Sequence, residues 1–218
     1  MQKAFTVVAL FLSFALIAGA TGPAPAESSP RMETFLGYNF ARFNPDSGYI
    51  PSFNANGGSG QFTYNFSRWF GITTDIGAVH KSVLNAADVD TTITHFVAGP
   101  RVSFHNSSRF TPFGEIMFGG SHTTTSTQIS ALPVVNPLAG ITLPGDVPVS
   151  ARLTASNTVF AMMVGGGLDY RVSKHVSFRP FAADYYLTRP ASLISGQDVN
   201  KNNWRLSAGV SFLFGEPQ

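Results

Sequence analysis

From Met32 onward, large apolar side chains recur at every second position, with small or polar residues between them. That period places successive side chains on opposite faces of an extended strand, a sorting that a helix of 3.6 residues per turn does not produce. The C-terminal segment is the clearest case: Trp204, Leu206, Ala208, Val210, Phe212 and Phe214 share one face, and Arg205, Ser207, Gly209 and Ser211 share the other. The same pattern sets Leu36, Tyr38 and Phe40 against Gly37, Asn39 and Ala41, and Gly60, Phe62, Tyr64 and Phe66 against Gln61, Thr63 and Asn65. It continues through Phe70, Ile72 and Ile76, through Phe96, Ala98, Val102 and Phe104, through Ile116 and Phe118, and through Phe160, Met162, Val164, Leu168 and Tyr170. With Val176 to Thr188, these segments make about eight strands. In Val176 to Thr188 the parity breaks: Asp184 shares a face with Phe178 and Ala182, whereas Arg179 falls with Phe181, Ala183 and Tyr185. Either Arg179 snorkels toward a polar interface or a bulge near Pro180 resets the register.

The connections alternate in length. Tight links at Ser67-Arg68, His105 to Arg109 and Arg171 to His175 alternate with long ones at Asn44 to Asn56, Lys81 to Thr91, His122 to Thr154 and Arg189 to Asn202. A soluble sandwich has no reason to segregate loop length, but a bacterial membrane barrel has short periplasmic turns and longer external loops. The alternation therefore predicts both termini in the periplasm and four loops outside.

Composition decides what the apolar faces meet. Charged residues are 12% of the 218 and aromatic residues 13%, against about a quarter charged in an ordinary soluble domain. Mean hydropathy is only +0.10, and past the first twenty residues no run approaches the ~20 apolar residues of a membrane helix. The remaining way to cross lipid is a closed barrel, in which every strand satisfies its neighbours and no edge faces hydrocarbon. The expected fold is thus all-β, an eight-stranded antiparallel up-and-down transmembrane β-barrel over residues 31–214, followed by a tail at 215–218. Ahead of it, Lys3, the apolar run Ala4 to Ala18 and the small residues Ala18-Gly19-Ala20 read as a secretory signal peptide over residues 1–20, with Ala26 as the later cleavage alternative. Residues 21–30 read as a short flexible segment.

About eight strands enclose an interior just wide enough to be filled by side chains. The inward parity collects Glu33, Asp75, Arg101, Glu115, Asp169, Asp184 and Arg205, and enclosed charges need partners. A lumenal network of ion pairs is therefore expected, with a narrow ion path as the competing reading. His105-Asn106-Ser107 with Glu115 invites a hydrolase reading, but the His and Ser fall in a turn expected to be solvated, and no G-x-S-x-G elbow is present. The histidines at 80, 95, 105, 122 and 175 show no metal-ligand spacing, Asp88-Val89-Asp90 lacks the rest of a calcium loop, and there are no cysteines. No enzyme activity, metal or cofactor is expected. Gly165-Gly166-Gly167 precedes no helix and reads as close packing or a bend. Net charge is +2 with Lys and Arg scattered, so no nucleic-acid footprint exists. The Thr-, Ser- and Pro-rich loop 122–154 is the place to expect an extracellular ligand.

The segments Phe35 to Phe40, Gly99-Pro100-Arg101 with Phe104, Pro112-Phe113-Gly114-Glu115, Gly165 to Tyr170, Asp184-Tyr185 and the closing strand to Phe214 resemble the outer-membrane β-barrel family typified by the OmpA transmembrane domain. The resemblance covers nearly all of residues 31–214. It implies residence in the outer membrane, in contact with its lipid, and a last strand (Trp204, Leu206, Val210, Phe212, Phe214) read by the barrel-assembly machinery. Gly215 to Gln218 extend the chain past the terminal aromatic residue, and no residues remain for OmpA's periplasmic domain. The expected role is non-enzymatic, envelope-structural or surface-interacting through external loops, by a monomer. A narrow pore, a lipid-modifying enzyme and a soluble lipocalin-like carrier are the alternatives.

Overall fold

In the computed structural model, residues 29–44, 52–84, 88–105, 108–131, 149–189 and 201–215 are described. The signal-peptide segment lies outside the described residues. Eight strands follow in chain order: β1 (Met32–Phe43), β2 (Phe53–Asn65), β3 (Phe70–Leu84), β4 (Asp88–Ser103), β5 (Phe110–Ala131), β6 (Val149–Arg171), β7 (Val176–Arg189) and β8 (Lys201–Phe214). Each pairs antiparallel with its sequence neighbours, and β1 closes onto β8 with Met32 opposite Phe214 and Gly37 opposite Gly209. The alternation of Phe, Leu and Ile with Gly, Ser and Thr has thus resolved into one closed sheet whose outward residues are the large apolar ones.

That outward face is built for lipid. Leu36, Phe62, Ile72, Ile76, Phe96, Phe118, Phe160 and Leu206 are all exposed. On β8 the outward set runs from Phe214 to Trp204, ten positions apart; at ~3.3 Å per residue and a tilt of about 40° this spans roughly 25 Å, the height of an outer-membrane apolar band. Aromatic contacts crowd the short-turn end: Tyr64 with Phe66 at 5.2 Å, Trp69 with Phe104 at 5.8 Å and Phe110 with Tyr170 at 5.0 Å between ring centroids. Tyr185 and Trp204 make a fourth such contact, toward the other end, at 5.4 Å.

Two expectations are corrected. The loops expected at Lys81 to Thr91 and His122 to Thr154 are largely strand: β3 and β4 are separated only by residues 85–87, and β5 and β6, with 22 and 23 residues, are parted by residues 132–148. Membrane crossing needs about 9–11 residues, so both hairpins run well past the lipid band. There small and polar residues predominate, with Ile93 and Leu153 among them, and Thr123-Thr124-Thr125, Thr154 and Thr158 favour strand geometry through their β-branched side chains rather than through alternation. Beyond His80, β3 pairs only with β4, and β6 meets β7 only from Phe160 onward. Strands β3 to β6 therefore project as a four-stranded sheet whose β6 edge is free among the described residues.

The second correction concerns His105, which was expected in a solvated turn. It is buried at the short-turn mouth of the barrel, where its Nδ1 donates to the Arg68 carbonyl at 2.8 Å.

Candidate functional site: the lumenal ion network

The interior is filled from the side chains that alternation turns inward. All seven charged residues of that parity are buried. They fall into two groups, together with side chains that parity counting did not single out. In the first group Arg101 and Arg179 share one carboxylate: Arg101 Nη2 donates to Asp169 Oδ2 at 2.8 Å, and Arg179 donates through Nε to Oδ1 at 2.7 Å and through Nη2 to Oδ2 at 3.2 Å. Gln61 completes the clamp. Its amide oxygen accepts from Arg101 Nη1 at 3.1 Å and Arg179 Nη1 at 2.9 Å, while its nitrogen donates to both Glu115 oxygens at 3.0 and 3.1 Å. Arg101 Nη2 also lies 3.6 Å from Glu33, whose other oxygen accepts from Asn65 at 2.8 Å.

Both guanidiniums stack on Phe113, at 3.8 Å for Arg101 and 4.3 Å for Arg179, and Arg179 also lies 4.1 Å from the Phe35 ring. Planar guanidinium suits this dual use of edge and face better than ammonium does. The Phe35 ring needs the facing pair Gly37 and Gly209: a Cβ at Gly37 would sit 2.2 Å, and one at Gly209 2.8 Å, from its atoms.

Arg179 reaches this position through a bulge. The β7–β8 register shifts between Arg179 and Ala182, so that Pro180 and Phe181 both face outward and the chain re-enters phase at Ala182. Of the two readings of Arg179 open in the sequence, the bulge is the one observed. Proline within a strand, where it lacks a ladder donor, was the signal.

The second group centres on Arg205. Its Nη2 lies 2.8 Å from both Asp75 and Asp184, and its Nε donates to Asp184 at 2.9 Å. Arg205 Nη1 also approaches His95 Nε2 at 3.0 Å, while that same nitrogen lies 3.1 Å from Asp75 Oδ1. Since guanidinium only donates and carboxylate only accepts, His95 Nε2 serves Arg205 when unprotonated and Asp75 when protonated. At Gly165, opposite both Glu115 and Asp184, a Cβ would lie 2.3 Å from the Asp184 carboxylate; close packing is what this glycine provides.

Above the charges lies an apolar layer formed by Ala41, Phe43, Ala55, Val79, Ile93, Val97, Met117, Ala161, Met163 and Tyr186. In β1, β2, β3, β5, β6 and β7 these residues sit nearer the long-link end than the charged or amide residue of the same strand. Tyr186 joins the layers, its ring 6.1 Å from both His95 and Phe43.

At the short-turn mouth, burial pushes His105 below its ordinary value of 6.5, with Glu33 and the bond to the Arg68 carbonyl acting in the opposite direction. Its Nε2 lies 3.9 Å from Glu33. Ser107 lies outside the described residues.

A closed barrel of eight antiparallel strands, an apolar exterior band and an inward set of buried polar side chains together specify a membrane barrel. The model of the outer membrane protein beta-barrel domain matches residues 12–212. The chain belongs to this outer-membrane β-barrel family. It is accordingly an outer-membrane protein, and its family and location agree with the resemblance carried by Phe35 to Phe40 and the closing strand. Among solved structures it is similar to Ail, the attachment invasion locus protein of Yersinia pestis, at 18% identity over 84% of this chain and 99% of that one, with a TM-score of 0.53. Ail in complex with the heparin analogue sucrose octasulfate matches at 17% identity, the same 84% and 99% coverage, and a TM-score of 0.51. Neisserial surface protein A matches at 16% identity over 86% of this chain and all of that one, with a TM-score of 0.53. At these identities the likeness is one of fold. No curated protein sequence matches the chain.

Proposed function

We propose that this protein is a non-enzymatic outer-membrane barrel that serves surface interaction through its external segments, with an envelope-structural role as the second part of the same reading. The observation that carries it is the division of labour along the barrel axis: ion pairs and an apolar layer occupy the lumen, while β3 to β6 project far beyond the lipid band. Material spent outside the membrane on a four-stranded sheet rich in Thr and Ser has no use in a simple plug. The short turns face the periplasm and the projecting sheet faces the exterior, in keeping with the loop-length asymmetry of outer-membrane barrels. Glu33, Asp75, Arg101, Glu115, Asp169, Asp184 and Arg205 act as the filling that keeps the lumen shut. The strand bearing Trp204, Leu206, Val210, Phe212 and Phe214 is the segment offered to the barrel-assembly machinery, and the working unit is a monomer.

The sheet's outer face is polar and internally bonded. Ser82 donates to Asp90, Arg152 donates to Ser126 at 2.9 Å, and His122 bonds Thr158 at 2.7 Å. Such a surface offers hydrogen bonds and scattered charge to a ligand outside the cell. Ail's complex with a heparin analogue supplies a first probe.

The test joins conductance to binding. The full chain in planar bilayers is expected to show no steady porin-size current, and cells displaying it are expected to retain a sulfated-glycan surface better than cells displaying a variant with the β5–β6 hairpin cut back to residues 121 and 159. A steady current overturns the closed-lumen part. Equal retention by both removes the surface-interaction part for this class of ligand and leaves the envelope role.

A further inference from the structure

The chain distributes its charges unevenly between the two ends of the barrel. At the short-turn end Arg31, Arg68, Arg109 and Lys174 are exposed and Arg171 is half-buried; among the described residues none of the five forms an ion pair with a carboxylate. Five of the twelve acidic residues are in the lumen, and Asp46, Asp88, Asp90, Asp146 and Asp198 fall by sequence at the long-link end, leaving only Glu27 and Glu216, which lie outside the described residues.

Two of these guanidiniums lie over aromatic rings of the short-turn girdle, and a third reaches the hydroxyl of another. Arg31 lies 5.7 Å from the Tyr64 ring centroid and its Nε donates to the Tyr64 hydroxyl at 3.0 Å. Arg68 lies 5.8 Å from the Trp69 centroid and donates to the His105 carbonyl. Arg109 approaches the Tyr170 hydroxyl at 3.5 Å. Interfacial aromatic rings sit at headgroup depth, so each pairing fixes a cation at the level of lipid phosphates, with donors left over to meet them.

We propose that the short-turn rim is a binding collar for anionic phospholipid, with Arg31, Arg68 and Arg109 receiving the headgroup phosphates. The rings set the height and orientation of each guanidinium, and the lipid supplies the carboxylate-like partner that the protein withholds. This goes beyond the proposed surface role and concerns the opposite end of the molecule.

The chain's two tryptophans make the test direct, because Trp69 lies in the collar and Trp204 toward the opposite rim. The full chain is reconstituted as Trp204→Phe or Trp69→Phe in phosphatidylcholine vesicles containing phosphatidylglycerol with brominated chains. Quenching of Trp69 is expected to show about fivefold enrichment of the anionic lipid, the factor given by roughly 1 kcal/mol per basic residue, and quenching of Trp204, whose cross-strand neighbour Arg42 is bonded to Asn54, distinctly less. Arg68→Gln is expected to abolish the enrichment at Trp69, and Arg68→Lys to keep most of it. Should Arg68→Gln fail to insert, salt replaces it: raising ionic strength from about 0.01 to about 1 M shortens the screening length from ~30 to ~3 Å and is expected to erase the enrichment. Equal quenching at the two tryptophans, or enrichment that survives both Arg68→Gln and salt, overturns the proposal. Displacement of the lipid by inorganic phosphate at equal concentration overturns the assignment to lipid.

Discussion

The two halves of the lumen solve one packing problem with opposite chemistry. On the short-turn side Arg101, Arg179, Asp169, Glu115 and Gln61 fill the space with charges that are desolvated and mutually satisfied; on the long-link side Met117, Met163, Val97 and Phe43 fill it with apolar atoms. Isolated buried charges cost several kcal/mol each, and only near-complete pairing repays that. The ionic half therefore behaves as a unit whose members depend on one another. The apolar half is a sum of separate contacts, each replaceable by something of similar volume.

The sharpest way to break this comparison is Arg179→Met. It removes the two-bond clamp on Asp169, one of two donors to Gln61, and the stacking on Phe35 and Phe113, while keeping an apolar chain of similar length. Losing one partner of a buried pair costs about 3–5 kcal/mol. The midpoint of urea unfolding in vesicles is expected to fall accordingly. Adding Asp169→Asn to the same chain is expected to recover part of the loss, because Arg179→Met leaves the carboxyl groups of Glu33, Glu115 and Asp169 sharing Arg101 and the amide removes one of the three. A double variant no more stable than Arg179→Met alone would show that the two groups do not act together.

The halves also differ in how far the sequence discloses them. Parity alone places Glu33, Asp75, Arg101, Glu115, Asp169, Asp184 and Arg205 on the inner face, because a charge on a lipid-facing strand position is expensive. It does not show which of them meet, since the Arg205 to Asp75 contact depends on barrel closure. It leaves Arg179 undecided because two consecutive outward residues, Pro180 and Phe181, shift the phase. Gln61 and His95 carry the inward parity too, but a neutral amide and a lone histidine have no pattern that marks them as bridges. The apolar half is silent for a different reason: Met, Val and Ala inside look the same as Met, Val and Ala facing lipid. The projecting sheet escapes because alternation exists only where one face is lipid and the other lumen; water on both sides removes it.

Next in size is Met163→Ala in the apolar half, where Met163 is fully buried. Truncating a buried Met costs about 2–5 kcal/mol, according to how well the site collapses. Here a replacement of similar volume, Met163→Leu, is expected to restore stability to within about 1.5 kcal/mol, read by the same unfolding midpoints. Rescue by shape alone is what separates this half from the ionic one. If Met163→Leu were as damaging as Arg179→Met, the distinction between a cooperative and an additive half would not hold.

The smallest effect is expected at the mouth of the ionic half, where His105 lies outside the strands. Burial lowers its affinity for a proton relative to the unfolded chain, with Arg171 and Arg101 adding to that and Glu33 opposing it. With the folded value depressed below 6.5, the unfolded state binds more protons just below that pH, so stability is complete above about 6.5 and declines as pH falls through the window beneath it. One such group changes stability by at most about 1.4 kcal/mol per pH unit. Urea midpoints measured at descending pH are expected to fall more steeply for the native chain than for His105→Gln, which keeps a donor for the Arg68 carbonyl but cannot titrate. Parallel curves would place the acid sensitivity of this end on the carboxylates rather than on the histidine. They would also mean that the imidazole at the barrel mouth, unlike the charges behind it, is as accessible to protons when folded as when unfolded.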